Sequence, residues 1–143
     1  MAVKVRPIAD FTADFPQDSV EEDGEIVVLG GRGVAEHIAA ILSRLDYQVA
    51  TPEHSPPYGW RFDASAGSGR VTVQIADLGE EYVLDVIERT PFFTRLLNSN
   101  ASIRPQLLTK LHRELSQDGR FHNIQWWDRY DGHGVASSEP VSE

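Results

Sequence analysis

"YGWRFDASAGSGRVTVQIADLGEEYVLDVIER", residues 58–89, places apolar side chains at every second position through three successive runs. Trp60, Phe62 and Ala64 alternate with Arg61 and Asp63. Val71, Val73 and Ile75 alternate with Arg70, Thr72 and Gln74, and Tyr82, Leu84 and Val86 recur at the same spacing of two. A period of two sends successive side chains to opposite faces of a pleated strand. Glycine-bearing turns separate the runs, so the stretch predicts a three-strand antiparallel meander. With Leu78 and Gly79 at the second tip, Ile75 faces Tyr82, Val73 faces Leu84 and Val71 faces Val86. Across "SAGSGR", Phe62 faces Val73 and Trp60 faces Ile75. Both hairpins then bury the same face, and a slip of one residue would turn that set out to water.

Working outward, "EIVVLG" (25–30) reads as a β-branched strand. Val34, Ile38, Ile41, Leu42 and Leu45 recur at helical spacing, predicting a helix from Gly33 to about Asp46. "YQVAT" reads as a short strand, and the prolines of "PEHSPPYG" make a connection. After the meander, Thr90 and Pro91 form a helix start for the short "PFFTRLL" segment. Ser102 caps a second helix carrying the stripe Ile103, Leu107, Leu108, Leu111 and Leu115, with Gly119 as its stop. "FHNIQWWDRY" closes the pattern as a last strand. The expected fold class is α+β: a mainly antiparallel β-sheet with a three-strand meander, two to three helices packed on one face, and flexible acidic termini. Residues 1–24 read as a flexible acidic arm, in which "VKV" suits an edge strand. Residues 25–130 read as a single α+β domain, and 131–143 as a disordered tail.

The formal net charge of −9 is unevenly spread. Residues 1–25 hold Lys4 and Arg6 against seven acids, and residues 131–143 hold three acids and no base. Residues 26–130 come to −1. Acidic ends repel phosphate and no basic stripe is present, which argues against nucleic acid as a partner. No stretch approaches the ~20 apolar residues of a membrane span, and "MAVKVRPIADF" lacks the apolar segment of a secretory signal, so a cytoplasmic setting without membrane contact is expected. Zero cysteine removes thiolate nucleophiles, thiolate zinc sites and iron–sulfur clusters.

The turn "LGGRGVAEH" invites a nucleotide reading, and each fingerprint misses by a required residue. Gly31 and Gly33 begin a G-x-G-x-x-G pattern whose third position falls on Glu36. A phosphate loop of the G-x-x-x-x-G-K-[ST] type needs a Lys-Ser or Lys-Thr pair, which the chain lacks. What remains is a helix N-terminus beside Arg32, so Gly31, Arg32 and Gly33 form a possible anion site. His37, His54, His112, His122 and His133 include no i, i+4 pair for a helical metal site. Asp77, Glu80, Glu81, Asp85 and Glu88 cluster at a hairpin and read as solvated turn and strand carboxylates, with Asp85 opposite Thr72. Ser55, Ser65 and Ser68 sit in no nucleophile setting. No catalytic residue, metal site or cofactor is expected.

In "IQWWDRY", Trp126 and Trp127 must point to opposite faces of a strand. If Ile124 and Trp126 face the helices, Trp127 and Arg129 lie outside, with Tyr130 beside them and Val83 and Ile87 outward on the meander. Trp and Arg are enriched at interface hot spots. The expected function is therefore a non-enzymatic protein-interaction module, comparable in size and shape to small immunity or adaptor proteins. Its open sheet face (Trp127, Arg129, Tyr130, Val83, Ile87) would engage a protein partner or a second copy. The alternative is a small-molecule or anion-binding domain, or minor enzyme, using the glycine turn from Gly30 to Gly33 and a helix–sheet cleft near Tyr58 and Trp60.

Overall fold

The computed structural model describes residues 3–98, 100–129 and 133–143. Its elements run β1 (Lys4–Val5), β2 (Ile8–Ala13), β3 (Val20–Glu22), β4 (Glu25–Val28), α1 (Arg32–Arg44), β5 (Gln48–Val49) and β6 (Glu53–Ser55). Then follow β7 (Gly59–Ala66), β8 (Gly69–Asp77), β9 (Tyr82–Glu88), α2 (Phe92–Leu97), α3 (Arg104–Gln117), β10 (Phe121–Trp127) and β11 (Val141–Ser142). The fold is α+β. The main sheet has the order β10-β2-β9-β8-β7-β5, with β6 also pairing β7, and its pairs are antiparallel.

The first hairpin has the expected register, with Trp60 opposite Ile75 and Phe62 opposite Val73. Gly59, at φ +123, lets β7 begin there: a Cβ at that position would run into the carbonyl of Ile75. The second hairpin is shifted by two residues. Ile75 faces Leu84, Val73 faces Val86 and Asp77 faces Tyr82, leaving Leu78–Glu81 as the loop. Asp77 stabilises that wider turn by accepting the amide of Gly79 at 2.8 Å. A shift of two preserves the buried face, whereas a shift of one would have inverted it.

Helices α1 and α3 cover this face, packing on β7, β8 and β9 and on each other. Val34, Ile38 and Leu42 of α1 and Leu107, Leu108, Leu111 and Leu115 of α3 close over Val71, Val73, Ile75, Leu84 and Val86. The nonpolar area removed from water is the main source of stability, worth roughly 1.5–3 kcal/mol for each fully buried large side chain.

Three segments depart from the sequence reading. Ile8–Ala13, expected in a flexible arm, form an inner strand between β10 and β9. Ala9 and Phe11 enter the core, and Phe11 stacks on Tyr82 and meets Phe121. With Phe11 the one large side chain among the inward Ala9, Phe11 and Ala13, the period-two signal is faint. Conversely, "EIVV" joins no core sheet. It pairs with β3 alone, and the hairpin stands off the body with Val20, Ile26 and Val27 exposed, because its charged neighbours favour water over burial. Finally, the described part of the tail comes back to the body: Ser137 pairs with Trp126, and β11 pairs with β1.

The last strand solves its own face problem. A β-bulge lies between His122 and Gln125, where Asn123 takes φ 56. The extra residue lets Phe121 and Trp126, an odd number of positions apart, both turn inward.

Candidate functional site

At the glycine turn, Gly31 takes φ +104 and offers no side-chain cap to α1. The free amides are satisfied from elsewhere: Asp18 Oδ1 accepts Gly31 N at 2.8 Å and Oδ2 accepts Gly33 N at 2.7 Å. The chain's own carboxylate therefore occupies the position an anion would take at this helix end. Arg32 pairs with Glu36 at 2.8 Å and lies over the Trp60 ring, 5.4 Å from its centroid. A cleft of about 340 Å³ runs between α1 and the residues following β5, lined by Arg32, Glu36, Ser43 and Thr51 among others. Trp60 is buried and donates Nε1 to the carbonyl of Leu29, while Tyr58 is exposed. Among the described residues, no three His, Cys, Asp or Glu side chains converge to hold a metal ion, and no helix is long and apolar enough to cross a membrane.

The outer sheet face gathers much of the expected interface. Trp127 lies opposite Ile8, which lies opposite Asp85, and Val83 and Ile87 flank Asp85 along β9. Val83, Ile87 and Trp127 are half-buried. Trp127 Nε1 donates to Asp10 at 2.6 Å. Asp85 faces Gln74 rather than Thr72, a consequence of the two-residue shift. Burial between Ile8, Val83 and Ile87 pushes its carboxyl above the usual range, and the positive charge of Arg104 offsets this in part. Arg129 is exposed and donates to the carbonyl of His133. Tyr130 lies outside the described residues.

Four exposed large apolar side chains gather elsewhere, on α2. This helix has six residues and none is buried. Phe92, Phe93, Leu96 and Leu97 are 63%, 75%, 66% and 88% exposed. The i, i+4 pairs Phe92–Leu96 and Phe93–Leu97 share one side of the helix. A helix this short does not hold itself together in water. Its two flanks are held instead. Thr90, expected as its cap, is buried and accepts the amide of Arg70 at 3.0 Å, tying the entry to the start of β8. Glu88 accepts the amide of Thr90 at 3.1 Å and the hydroxyl of Ser102, so one carboxylate grips both ends of the segment. Arg95 Nε caps the carbonyl of Thr90 at 3.2 Å.

The sequence reading counted "PFFTRLL" among the covering helices, because four large apolar side chains at helical spacing are also what a core helix shows. Around α2 the half-buried Glu88 is outnumbered by positive charge: Arg70, Arg89 and Arg95 are exposed and Arg104 is half-buried. An anchored apolar face with a cationic rim can bind a complementary surface without first having to order itself. Compared with protein-family models, curated proteins and solved structures, the chain matches none.

Proposed function

We propose that the protein is a non-enzymatic protein-interaction module and that α2 is its main contact surface. The observation that carries this is the exposure of Phe92, Phe93, Leu96 and Leu97 on a helix none of whose residues is buried in its own chain. Soluble monomers rarely leave such a contiguous apolar patch uncovered unless it meets another molecule. The double anchoring by Thr90 and Glu88 supports the reading, since it keeps the patch presented instead of letting it collapse onto the core.

The reading is tested by affinity capture with the intact chain, the Phe93→Glu/Leu97→Glu variant and Trp127→Ala, each melted first to confirm folding. A partner, including a second copy of the chain, is expected to be held by the wild type and by Trp127→Ala and lost by the α2 variant. Retention of every partner by the α2 variant would overturn it.

A further inference from the structure

Charges of opposite sign are separated along the strand axis, each beside exposed apolar side chains. The backbone of Gly69, where β8 begins, passes against Ile103 and the carbonyl of Ala101, and Arg70 is tied to Thr90, so α2 and its anchors sit at that end. Gly31 packs against Ile75 and Asp77 at the other end of β8, and Leu29 is bonded to Trp60 and His54, so the β3–β4 hairpin leaves the body there. The nine residues of β8, at a rise of ~3.4 Å each, set the two ends about 27 Å apart.

The two ends are complementary. At one, Phe92, Phe93, Leu96 and Leu97 stand among Arg70, Arg89 and Arg95, which are exposed and in no ion pair among the described residues. At the other, Val20, Ile26 and Val27 stand among Glu21, Glu22, Asp23 and Glu25, also exposed and in no ion pair among the described residues. Separated by the length of the sheet, the two surfaces do not meet within one chain.

Resting on the reading of α2 as the contact surface, we propose that its occupant is the β3–β4 hairpin of a second copy. Copies associate head to tail, hairpin onto helix. The apolar side chains supply the burial, and the opposite charges orient the encounter. Only Val28 of the hairpin packs against its own core, so the hairpin enters a neighbour without disturbing its own fold. A contact between two different surfaces does not close on itself like a two-fold dimer. Its products are concentration-dependent rings or short chains.

Sedimentation velocity on the full chain over a range of protein concentrations tests this. The average mass is expected to rise with concentration and fall at high salt. An α2-blocked variant (Phe93→Glu/Leu97→Glu) and a hairpin-blocked variant (Glu25→Lys/Ile26→Lys) are each expected to remain monomeric. Mixed together they are expected to form a complex of one copy of each and nothing larger, since each retains the surface the other lacks. The substituted side chains are all exposed, and thermal melts of both variants establish that the fold is intact. A wild-type chain that stays monomeric throughout overturns the inference, as does a mixture that fails to pair. Self-association that survives the hairpin substitutions and is lost only with the α2 pair also overturns it, while leaving α2 standing as a contact surface for a different occupant.

Discussion

Asp18 stands fifteen residues before Gly33, yet its Oδ2 accepts the Gly33 amide at 2.7 Å and so closes the first turn of α1 from outside the helix. Since Gly31 at the N-cap position has no side chain, Asp18 takes over the role a local Ser or Asp performs in most helices. Asp18→Ala is expected to cost about 1 kcal/mol of stability, in the range of other N-cap deletions. Asp18→Asn should cost less, because it retains one acceptor oxygen of the two in use. Urea denaturation of the three proteins measures both, and equal midpoints would remove Asp18 from this role.

Ile8–Ala13 occupy an inner position in the sheet, and deletion of residues 1–13 would leave facing edges of β9 and β10 unpaired and uncover Tyr82 and Phe121. The truncated chain is expected to lose its cooperative thermal transition altogether. Far-UV circular dichroism and a melt check this. A truncated protein that still melts sharply would mean that β2 is dispensable to the fold.

That strand also shows what limits a reading from sequence. The meander is legible because nine inward apolar positions recur at every second residue through three runs, so one face is specified many times over even though Val83 and Ile87 face outward. In β2 the inward set is Ala9, Phe11 and Ala13, two of them small, and the pairing that makes it a strand comes from β9 and β10, far along the chain. "EIVV" misleads in the opposite sense: β-branched apolar residues favour an extended backbone, but nothing in them says whether a core or water lies beyond. The same ambiguity hid α2. Its stripe resembles that of α3, and only tertiary placement shows that α3 is covered while α2 is not.

Trp126 is fully buried and donates Nε1 to His112 Nδ1 at 3.0 Å. That nitrogen must therefore keep its lone pair, and burial holds the His112 pKa below its ordinary value, with the charge of Glu139 opposing in part. A depressed folded pKa means that the unfolded chain binds the proton more readily. The contribution is present above the ordinary histidine value of about 6.5 and is lost as pH falls through the folded pKa. Stability should consequently decline on acidification below about pH 6.5, and His112→Gln should flatten that part of the profile. Trp126→Phe, which removes the donor and leaves space, is expected to cost about 1–3 kcal/mol at neutral pH. Chemical denaturation across a pH series tests both, and an unchanged slope in His112→Gln would assign the decline to other groups.

Glu88 governs how α2 is presented. Burial alone would raise its carboxyl, but hydrogen bonds from Ser102 and Thr90, together with the charge of Arg104, hold it below the usual range. The folded pKa being depressed, its contribution is complete above the ordinary glutamate value of about 4.3 and is lost as pH falls through the folded value. Glu88→Gln has no charge with which to strengthen these bonds, and about 1–2 kcal/mol should be lost. The loss should be local. Amide hydrogen exchange is expected to quicken from Thr90 to Ser102 while α1 and the meander stay protected, because the anchors fail before the core does. Since α2 would then have to be ordered on contact, binding through it should weaken although no contacting side chain has changed. Exchange that is uniform across the chain, or unaltered between Thr90 and Ser102, would show that α2 is held by something other than this carboxylate.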